Sequence, residues 1–472
     1  IIQILKQAEM KGLRPEDYDG PRWDARIEAM QKSSPAPEDA LVRFDLALTI
    51  STMRYVSDLH IGRVNPRLFH FGLDIGPKPI DLSELLRTDL VDAKDIDAVM
   101  ETVEPPYPAY RRTLSALDRY IQLARLDDGA KLPPIAKVVK PGGAYAGLAL
   151  LAKRLRLVGD FPPEDQTPYT GTVYQGSLVA AVKHFQQRHG LDPNGWIDAQ
   201  TIKQINTPLQ RRVVELELTL DRWRWMPHRF ERPPIVVNIP EFRLHADNAD
   251  YQWALSMKVV VGRAYQHKTP VFANSIKSVI FRPYWNVPIS IVRAEILPHL
   301  EKNPSYLLKN DYEVVDRNKN VVSEGEVTEE MKELLHKGVL AIRQRPGPNN
   351  ALGLVKFEFP NTYDVYMHGT PAMSLFSRPR RDFSHGCIRV EDPAGLAAWV
   401  LRDQPEWTHD KIRDAMNGEE TLRVDLKNSI PVLIVYGTAI VLENGEVRFF
   451  NDVYGYDADL ERVLNEDYSD TD

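Results

Sequence analysis

The spacing of apolar residues changes once along the chain, near residue 226. Before that point, stretches such as YPAYRRTLSALDRYIQLARL place an apolar residue at every third or fourth position, which is typical of amphipathic helices. After it, IVVNIPEFRLHA and YQWALSMKVVVG alternate apolar and polar residues, as half-buried strands do. One uniform fold does not accommodate both periods, so the sequence predicts a multidomain α+β protein.

The composition fits several water-soluble domains. The 472 residues are enough for about two to four domains, and 43% hydrophobic with 26% charged residues lies close to globular averages. A net charge of -7 argues against a nucleic-acid partner, because binding to phosphates depends on Lys and Arg. The sequence also lacks a run of about 20 apolar residues that could span a membrane.

Changes of pattern also mark the expected domain boundaries. Proline and glycine in LPPIAKVVKPGGAYAG end the first helical region, and a hairpin is expected to turn at Asn444-Gly445. A helix, TEEMKELLHKG, and a Gly/Pro-rich loop interrupt the β-rich part, as a cap over a functional site would. The predicted domains are a helical scaffold at 1–145, a small three-helix domain at 146–208, a mainly β catalytic domain at 209–291 and 358–472, and an inserted capping subdomain at 292–357.

The single cysteine of the chain, Cys387, follows Ser-His-Gly, and fifteen residues separate Ser384 from His368 at the end of the strand YDVYMHG. A neighbouring imidazole can take the proton of a thiol, whose pKa of about 8.5 leaves only a few per cent thiolate at neutral pH. Gly386 allows a tight turn in which the amides of Gly386 and Cys387 point at a developing oxyanion. This arrangement would make an acyl-transfer site.

Two other interpretations of these residues stay open. A lone cysteine is often a small buried apolar residue without chemistry. A zinc ion could also be held by His368, His385 and Cys387. The sequence shows no evident fourth ligand or acidic base, so no metal ion is expected.

The spacing of these motifs closely resembles that of the L,D-transpeptidases of the YkuD type, in which a histidine precedes Ser-His-Gly-Cys by a similar interval. The surrounding stretches VVGRAYQHKTPVF, FRPYWNVPISI and RPGPNNALGLVKFEFPN resemble the large Gram-negative branch of that family. That branch also carries a helical scaffold domain, a peptidoglycan-binding domain and a capping subdomain. The likeness covers essentially the whole chain.

The small domain resembles the type-1 peptidoglycan-binding domain. Its stretch AVKHFQQRHGL keeps the first half of that motif, whereas Asn194 and Asp198 depart from the second half. Glycan binding and a three-helix spacer therefore both stay open for residues 146–208.

The family resemblance implies roles for ten residues. Cys387 is the expected nucleophile and His368 the base, with the carbonyl of Gly369 holding the imidazole. His385 is expected to shape the loop beside the thiolate, and Gly386 to supply an oxyanion amide. Substrate contact or scaffolding is expected of five further residues, namely Tyr366, Arg389, Ser384, Trp285 and Asn286.

The resemblance also implies the reaction, and no cofactor for it. A tetrapeptide stem of peptidoglycan would acylate the cysteine with release of D-Ala, and the amine of a second stem would take the acyl group to form a 3-3 cross-link. Such a reaction belongs to cell wall biogenesis and maintains cell shape. The alternatives are an L,D-carboxypeptidase or cross-link hydrolase, a transpeptidase that anchors a lipoprotein, and a catalytically silent peptidoglycan-binding scaffold.

The expected partners follow from the same resemblance. They are the donor and acceptor stem peptides and, as inhibitors, carbapenem-type β-lactams that acylate Cys387; we expect a monomer. The substrate implies the periplasm or cell envelope. Since the sequence starts at Ile1, we expect a signal peptide or anchor before it, although an arbitrary start fits equally well.

Overall fold

The predicted fold class is confirmed: a helical N-terminal region is followed by a mainly β domain with an inserted subdomain. This computed structural model describes residues 1–32, 37–73, 78–162, 165 and 169–465. The chain divides into two compact units, one comprising Ile1–Phe230 with Tyr436–Asp472 and the other Glu231–Val435.

The first unit is built mainly from helices. In chain order they are α1 (Ile2–Lys6), α2 (Trp23–Gln31), α3 (Glu38–Ile61), α4 (Leu82–Leu85), α5 (Ile96–Val103), α6 (Pro108–Leu126), α7 (Leu148–Leu157), α8 (Ser177–Arg188), α9 (Ala199–Ile205) and α10 (Leu209–Trp225). Within the described ranges, none of the helices combines the length and apolar character required to cross a bilayer.

Helix α10 is the centre of this unit, and both α6 and α3 pack on it. Its buried residues include Leu216 and Leu220, which are fully shielded from solvent, as is Leu117 on α6. Burying each such side chain contributes about 1.5 to 3 kcal/mol. Pro108 begins α6 at the position where its missing N–H disrupts no helical hydrogen bond.

Helices α7, α8 and α9 form the predicted three-helix domain around a shared apolar core. Gln186 of α8 fixes the turn that leads to α9, because its side chain donates to the carbonyl of Trp196 (2.8 Å) and accepts from the amide of Gly195 (2.8 Å). Asp198 then caps α9 by accepting from the amide of Thr201 (2.7 Å). Glycan binding by this domain stays a prediction.

The second unit is mainly β. Its strands are β1 (Ile235–Asn238), β2 (Arg243–Asp247), β3 (Trp253–Gly262), β4 (Phe272–Phe281), β5 (Trp285–Asn286), β6 (Tyr312–Val315), β7 (Val321–Ser323), β8 (Ala341–Gln344), β9 (Val355–Glu358), β10 (Met367–His368), β11 (Asp382–Ser384), β12 (Ile388–Val390) and β13 (Leu422–Val435). Its helices are α11 (Ile289–Ile291), α12 (Leu297–Lys302), α13 (Tyr306–Lys309), α14 (Glu329–Lys337), α15 (Pro393–Val400) and α16 (His409–Asn417).

The main sheet has nine strands in the order β11-β3-β12-β10-β9-β4-β13-β1-β2, and β2 also pairs with β3, so the sheet closes into a barrel-like ring. Strand β10 lies between β9, which is antiparallel to it, and β12, which is parallel. Met367 of β10 faces Ile388 of β12, and His368 faces Arg389. Since side chains alternate along a strand, Met367 and Ile388 point into the core, and His368 and Arg389 share the other face.

The insertion has a sheet and a core of its own. Strands β5, β8, β6 and β7 form a second sheet in that order. Its core contains Leu300, Leu307, Val314 and Ile342, all buried. The sheet begins at β5, before the predicted start at 292, and the main sheet resumes at β9, before residue 358.

The C-terminal segment groups with the helical unit. The hairpin predicted at Asn444-Gly445 is confirmed: β14 (Ala439–Val441) pairs antiparallel with β15 (Val447–Phe449), and α17 (Tyr456–Leu464) follows. Arg222 of α10 forms a buried ion pair with Asp457 of α17 (2.6 Å). Residues 209–230 and 436–472 were predicted to belong to the catalytic domain, which is wrong, because both segments group with the helical unit. Apolar alternation does not show which core a hairpin packs on.

Candidate active site

Cys387 lies in the loop that joins β11 to β12. Gly386, just before it, has a φ of +115°, a backbone conformation that glycine adopts without strain. Downstream, Asp392 accepts a hydrogen bond from the amide of Gly395 (2.8 Å) and so caps α15, whose first residue is Pro393. This cap anchors the chain on the far side of β12.

His368 is buried beside this loop at the end of β10. Its Nδ1 lies 2.5 Å from the carbonyl oxygen of Gly369. A carbonyl oxygen only accepts, so Nδ1 donates and the neutral ring keeps an unprotonated Nε2. Burial, with a smaller effect of the nearby Arg389, lowers the pKa of His368 to about 3. The imidazole is therefore neutral, and able to accept a proton, throughout the physiological range.

The thiol of Cys387 contacts the segment that leads into β10. Its Sγ donates to the carbonyl oxygen of Asp364 (3.6 Å). Burial raises the pKa of the thiol above its ordinary value, although hydrogen bonds from the amide and the phenol of Tyr366 and the charge of Lys356 act in the opposite direction. The resting group is therefore the thiol, not a thiolate paired with an imidazolium.

Cys387 and His368 lie close together, where β10 ends and the loop enters β12. His368 is the register partner of Arg389, which stands two residues after Cys387, and the side chain of Tyr366 borders both the thiol and the imidazole. In the described part of the chain, no hydrogen bond joins Sγ to the imidazole, because the thiol is turned to Asp364. Hydrogen bonds between catalytic groups are often long without substrate and shorten when it binds.

The side chain of Ser384 forms two hydrogen bonds to the backbone of the catalytic loop. Its buried hydroxyl donates to the carbonyl of Cys387 (2.6 Å) and accepts from the amide of Gly386 (3.1 Å). Ser384 was expected either to contact substrate or to act as scaffolding, and in the structure its hydroxyl holds the loop. The amides of Gly386 and Cys387 were both expected to point at the oxyanion. For Gly386 this is wrong, because its N–H donates to the hydroxyl of Ser384. The N–H of Cys387 has no hydrogen-bond partner within the described ranges.

Arg389 places a cation beside the thiol. Burial and the nearby Arg263 lower the pKa of its guanidinium, and the charge of Cys387 opposes this. Its buried Nε has no hydrogen-bond partner among the residues that the structure describes. A buried and unsatisfied guanidinium N–H is a strong donor for a carboxylate, to which arginine can bind through two hydrogen bonds.

Tyr366 and Trp285 form one wall of the site. The phenol of Tyr366 interacts with both the thiol of Cys387 and the indole of Trp285, and its ring lies 5.7 Å from the ring of His368. Lys356 stacks over the same phenol at 4.3 Å. Asn286 is exposed on β5 and pairs with β8 of the insertion, so its backbone belongs to the cap.

His385 joins the catalytic loop to the insertion. Its Nε2 donates to the carboxylate of Glu295 (2.7 Å), and its ring lies 5.0 Å from that of His267. Glu295 belongs to the π-helical turn Val292–Ile296. Sequence reasoning did not find Glu295, because no local spacing relates an insertion to a loop far along the chain. Among the described residues, no three His, Cys, Asp or Glu side chains are placed to bind a metal ion.

The rate of alkylation of Cys387 by iodoacetamide is expected to rise with pH up to and beyond pH 9. The reason is that burial raises the pKa of the thiol, so the reactive thiolate becomes abundant only in alkaline solution. Intact-protein mass spectrometry measures this rate at a single site, since the chain has one cysteine. A plateau already reached below pH 7 would contradict this assignment and indicate a thiolate–imidazolium pair.

Three family models match the chain. Residues 232–429 match the YkuD family, described as "L,D-transpeptidase catalytic domain", residues 1–117 match the "Scaffold domain" and residues 146–205 match the "Putative peptidoglycan binding domain". The first range contains all ten residues singled out from the sequence. The resemblance found in the sequence is thereby confirmed domain by domain.

A curated protein of Haemophilus influenzae, described as "Putative L,D-transpeptidase", is similar to part of the chain. The two are 32% identical over 226 residues. This region is 48% of the present chain and 45% of the relative, so the match spans less than half of either protein.

Proposed function

We propose that this chain, whose residues 232–429 belong to the YkuD family of L,D-transpeptidase catalytic domains, is a peptidoglycan L,D-transpeptidase that forms 3-3 cross-links. One observation carries the proposal. The single thiol of the chain and a buried, neutral imidazole border the same tyrosine, Tyr366, and the backbone N–H of the same cysteine has no partner in the described structure.

The first half-reaction is acylation of Cys387. Sγ attacks the carbonyl carbon of the bond between the L-centre of the diamino acid and the terminal D-Ala of a tetrapeptide stem, while Nε2 of His368 takes the thiol proton. The S–C bond forms and the carbonyl π pair moves onto oxygen. When that pair returns, the C–N bond breaks, and the imidazolium protonates the D-Ala amine as it leaves. The product is a thioester.

The second half-reaction transfers the acyl group. The side-chain amine of a second stem attacks the thioester carbonyl, and neutral His368 removes a proton from it. Collapse of the intermediate breaks the C–S bond and returns the proton to sulfur. Water in place of the amine would give a tripeptide, which is the product of an L,D-carboxypeptidase.

The surroundings of Cys387 support the binding of an anionic stem peptide. The unsatisfied Nε of Arg389 suits a free carboxylate of the donor, and Tyr366 with Trp285 provides an aromatic wall. We also propose that the insertion excludes water from the thioester. The bond between His385 and Glu295, which joins the insertion to the catalytic loop, supports this role.

The partners and location belong to the same proposal. The match of residues 146–205 to a peptidoglycan-binding domain favours attachment to the cell wall polymer near the stems. We propose that the chain acts on peptidoglycan in the periplasm or cell envelope, and that it does so as a monomer. Carbapenems, which contain a strained amide, are expected to acylate Cys387.

Incubation with purified disaccharide-tetrapeptide tests the proposal. Mass spectrometry of the products is expected to show cross-linked dimers that have lost one D-Ala, and none with the Cys387→Ala variant. Tripeptide without dimers would replace transpeptidation by carboxypeptidase activity. Unchanged substrate, with intact protein, would overturn the enzymatic assignment in favour of a binding scaffold.

A further inference from the structure

Thr269 links the catalytic loop to the end of β3. Its side chain is fully buried. Its hydroxyl donates to the carbonyl oxygen of Gly386 (2.7 Å) and accepts from the amide of Gly262 (2.8 Å). A single hydroxyl therefore connects the last residue of β3 with the residue immediately before the thiol.

The Gly262 end of this link is fixed by close packing. A Cβ built on Gly262 would lie 1.9 Å from the carbonyl oxygen of His267, so the segment between Gly262 and Thr269 folds back tightly on itself. Gly262 is also the register partner of Ser384 in β11. The hydroxyl of Thr269 is thus held by a tight turn that is packed against β11.

The same contacts set the direction of the peptide bond before Cys387. Ser384 engages the N–H of Gly386 and the carbonyl of Cys387, and Thr269 engages the carbonyl of Gly386. In a planar trans peptide, C=O and N–H point in opposite directions. The N–H of Cys387 therefore points away from Thr269, and it is the one polar backbone group of these two residues without a partner in the described ranges.

This peptide bond could turn over if the hydroxyl of Thr269 were absent. Gly386 has no Cβ to resist rotation, and a Cβ built there would come no closer to other residues than 3.9 Å, so the space around it is open. Rotation of the peptide would exchange the positions of the Gly386 carbonyl and the Cys387 N–H. A carbonyl oxygen would then face the site where negative charge develops.

We propose that Thr269 is a positioning residue for acyl transfer: it aims the N–H of Cys387 at the oxyanion of the tetrahedral intermediate. The amide of the nucleophile's own residue lies close to the carbonyl that the nucleophile attacks. As the S–C bond forms and the π pair moves onto oxygen, this N–H donates to the oxygen, and it releases the oxygen when the pair returns and the leaving group departs. The inference rests on the proposed acyl-transfer function.

Two substitutions separate the hydroxyl from the shape of the side chain. Thr269→Val keeps the shape and removes the hydroxyl, whereas Thr269→Ser keeps the hydroxyl. The rate at which a carbapenem adds its mass to Cys387 is expected to fall by roughly 10²- to 10³-fold in T269V, the usual effect of losing an oxyanion donor. T269S is expected to retain most of the wild-type rate.

Alkylation by iodoacetamide provides the control. That reaction displaces iodide from a saturated carbon and forms no oxyanion, so T269V and T269S are expected to alkylate at the wild-type rate. Loss of alkylation in T269V would mean that Thr269 acts on the thiol or on the fold, and would overturn the inference. Thr269→Ala gives the same comparison if the valine variant does not fold.

The two reactions also distinguish a failure of the role of Thr269 from a failure of the proposed acyl-transfer function. A wild-type protein that reacts with the carbapenem, together with an equally reactive T269V, would overturn the role of Thr269 alone. A wild-type protein that alkylates but never acylates would overturn the proposed function and, with it, the inference.

Discussion

Cys387→Ser is expected to reduce the formation of cross-linked dimers from disaccharide-tetrapeptide by at least about 1000-fold, which is typical for loss of a nucleophile. The serine hydroxyl is far less acidic than the thiol. His368, whose pKa of about 3 makes it a weak base, does not compensate for that difference. Product formation is followed by chromatography and mass spectrometry.

The serine substitution changes one atom in a loop held by Ser384 and Thr269, so the fold is expected to persist. Circular dichroism and the thermal midpoint of C387S serve as controls. Turnover by C387S within tenfold of wild type would show that the thiol does not carry the acyl group.

His368→Gln is expected to lower kcat/KM by roughly 10²- to 10⁴-fold, the usual contribution of a positioned acid–base group. Its effect on iodoacetamide alkylation is expected to be small. In this structure the thiol is turned to Asp364 and Tyr366, and burial, not the imidazole, raises its pKa. A parallel collapse of turnover and alkylation would contradict this arrangement and indicate a thiolate–imidazolium pair.

The same variant tests the buried state of the imidazole. Burial lowers the pKa of His368 to about 3, whereas an unfolded chain has a histidine pKa of about 6.5. The unfolded state therefore binds more protons in this interval, and the free energy of unfolding falls as pH decreases from 6.5 towards 3. His368→Gln removes this contribution, so its stability is expected to depend less on pH there.

His385→Gln is the matched control for the turnover and the pH-dependent stability that are measured on His368→Gln. This histidine stands two residues before the thiol, but its ring is partly exposed and bonded to Glu295. A loss of turnover in H385Q as large as that in H368Q would contradict the assignment of His368 as the base. Turnover is measured with the same disaccharide-tetrapeptide assay.

Residues that are close in the sequence were the ones that could be predicted. The cap of α15 by Asp392 and the hairpin at Asn444-Gly445 depend on neighbours a few positions away, and both are present. The hydrogen bond from His368 to the carbonyl of Gly369, which the family resemblance implied, also joins neighbouring residues. Features of this kind depend on local chemistry, so a local stretch of sequence is enough to predict them.

Residues brought together by the sheet were not predictable from spacing. Thr269, Glu295 and Lys356 reach the catalytic loop from three separate segments, and their proximity depends on strand order. Each lies within or near a stretch that resembles the family, yet no pattern singles it out. The hydrogen bond between the hydroxyl of Ser384 and the amide of Gly386 was also not predictable. It depends on the φ of Gly386 rather than on residue type.

Domain membership shows the same limit on a larger scale. The change of period near residue 226 correctly predicted helices followed by a mainly β domain. The sequence did not show that the segment after Val435 packs with the helical unit, where Arg222 pairs with Asp457. An ion pair between residues so distant in the chain becomes visible only once the fold is known.

The most direct test of the central claim is to locate the acyl group itself. The wild-type protein is mixed with disaccharide-tetrapeptide, quenched in acid within seconds, and analysed by intact-protein mass spectrometry followed by peptide mapping. We expect an added mass equal to the donor minus D-Ala, confined to the peptide that contains Cys387 and absent from Cys387→Ala. The same added mass on another residue, or in the alanine variant, would contradict the assignment of Cys387 as the acyl carrier.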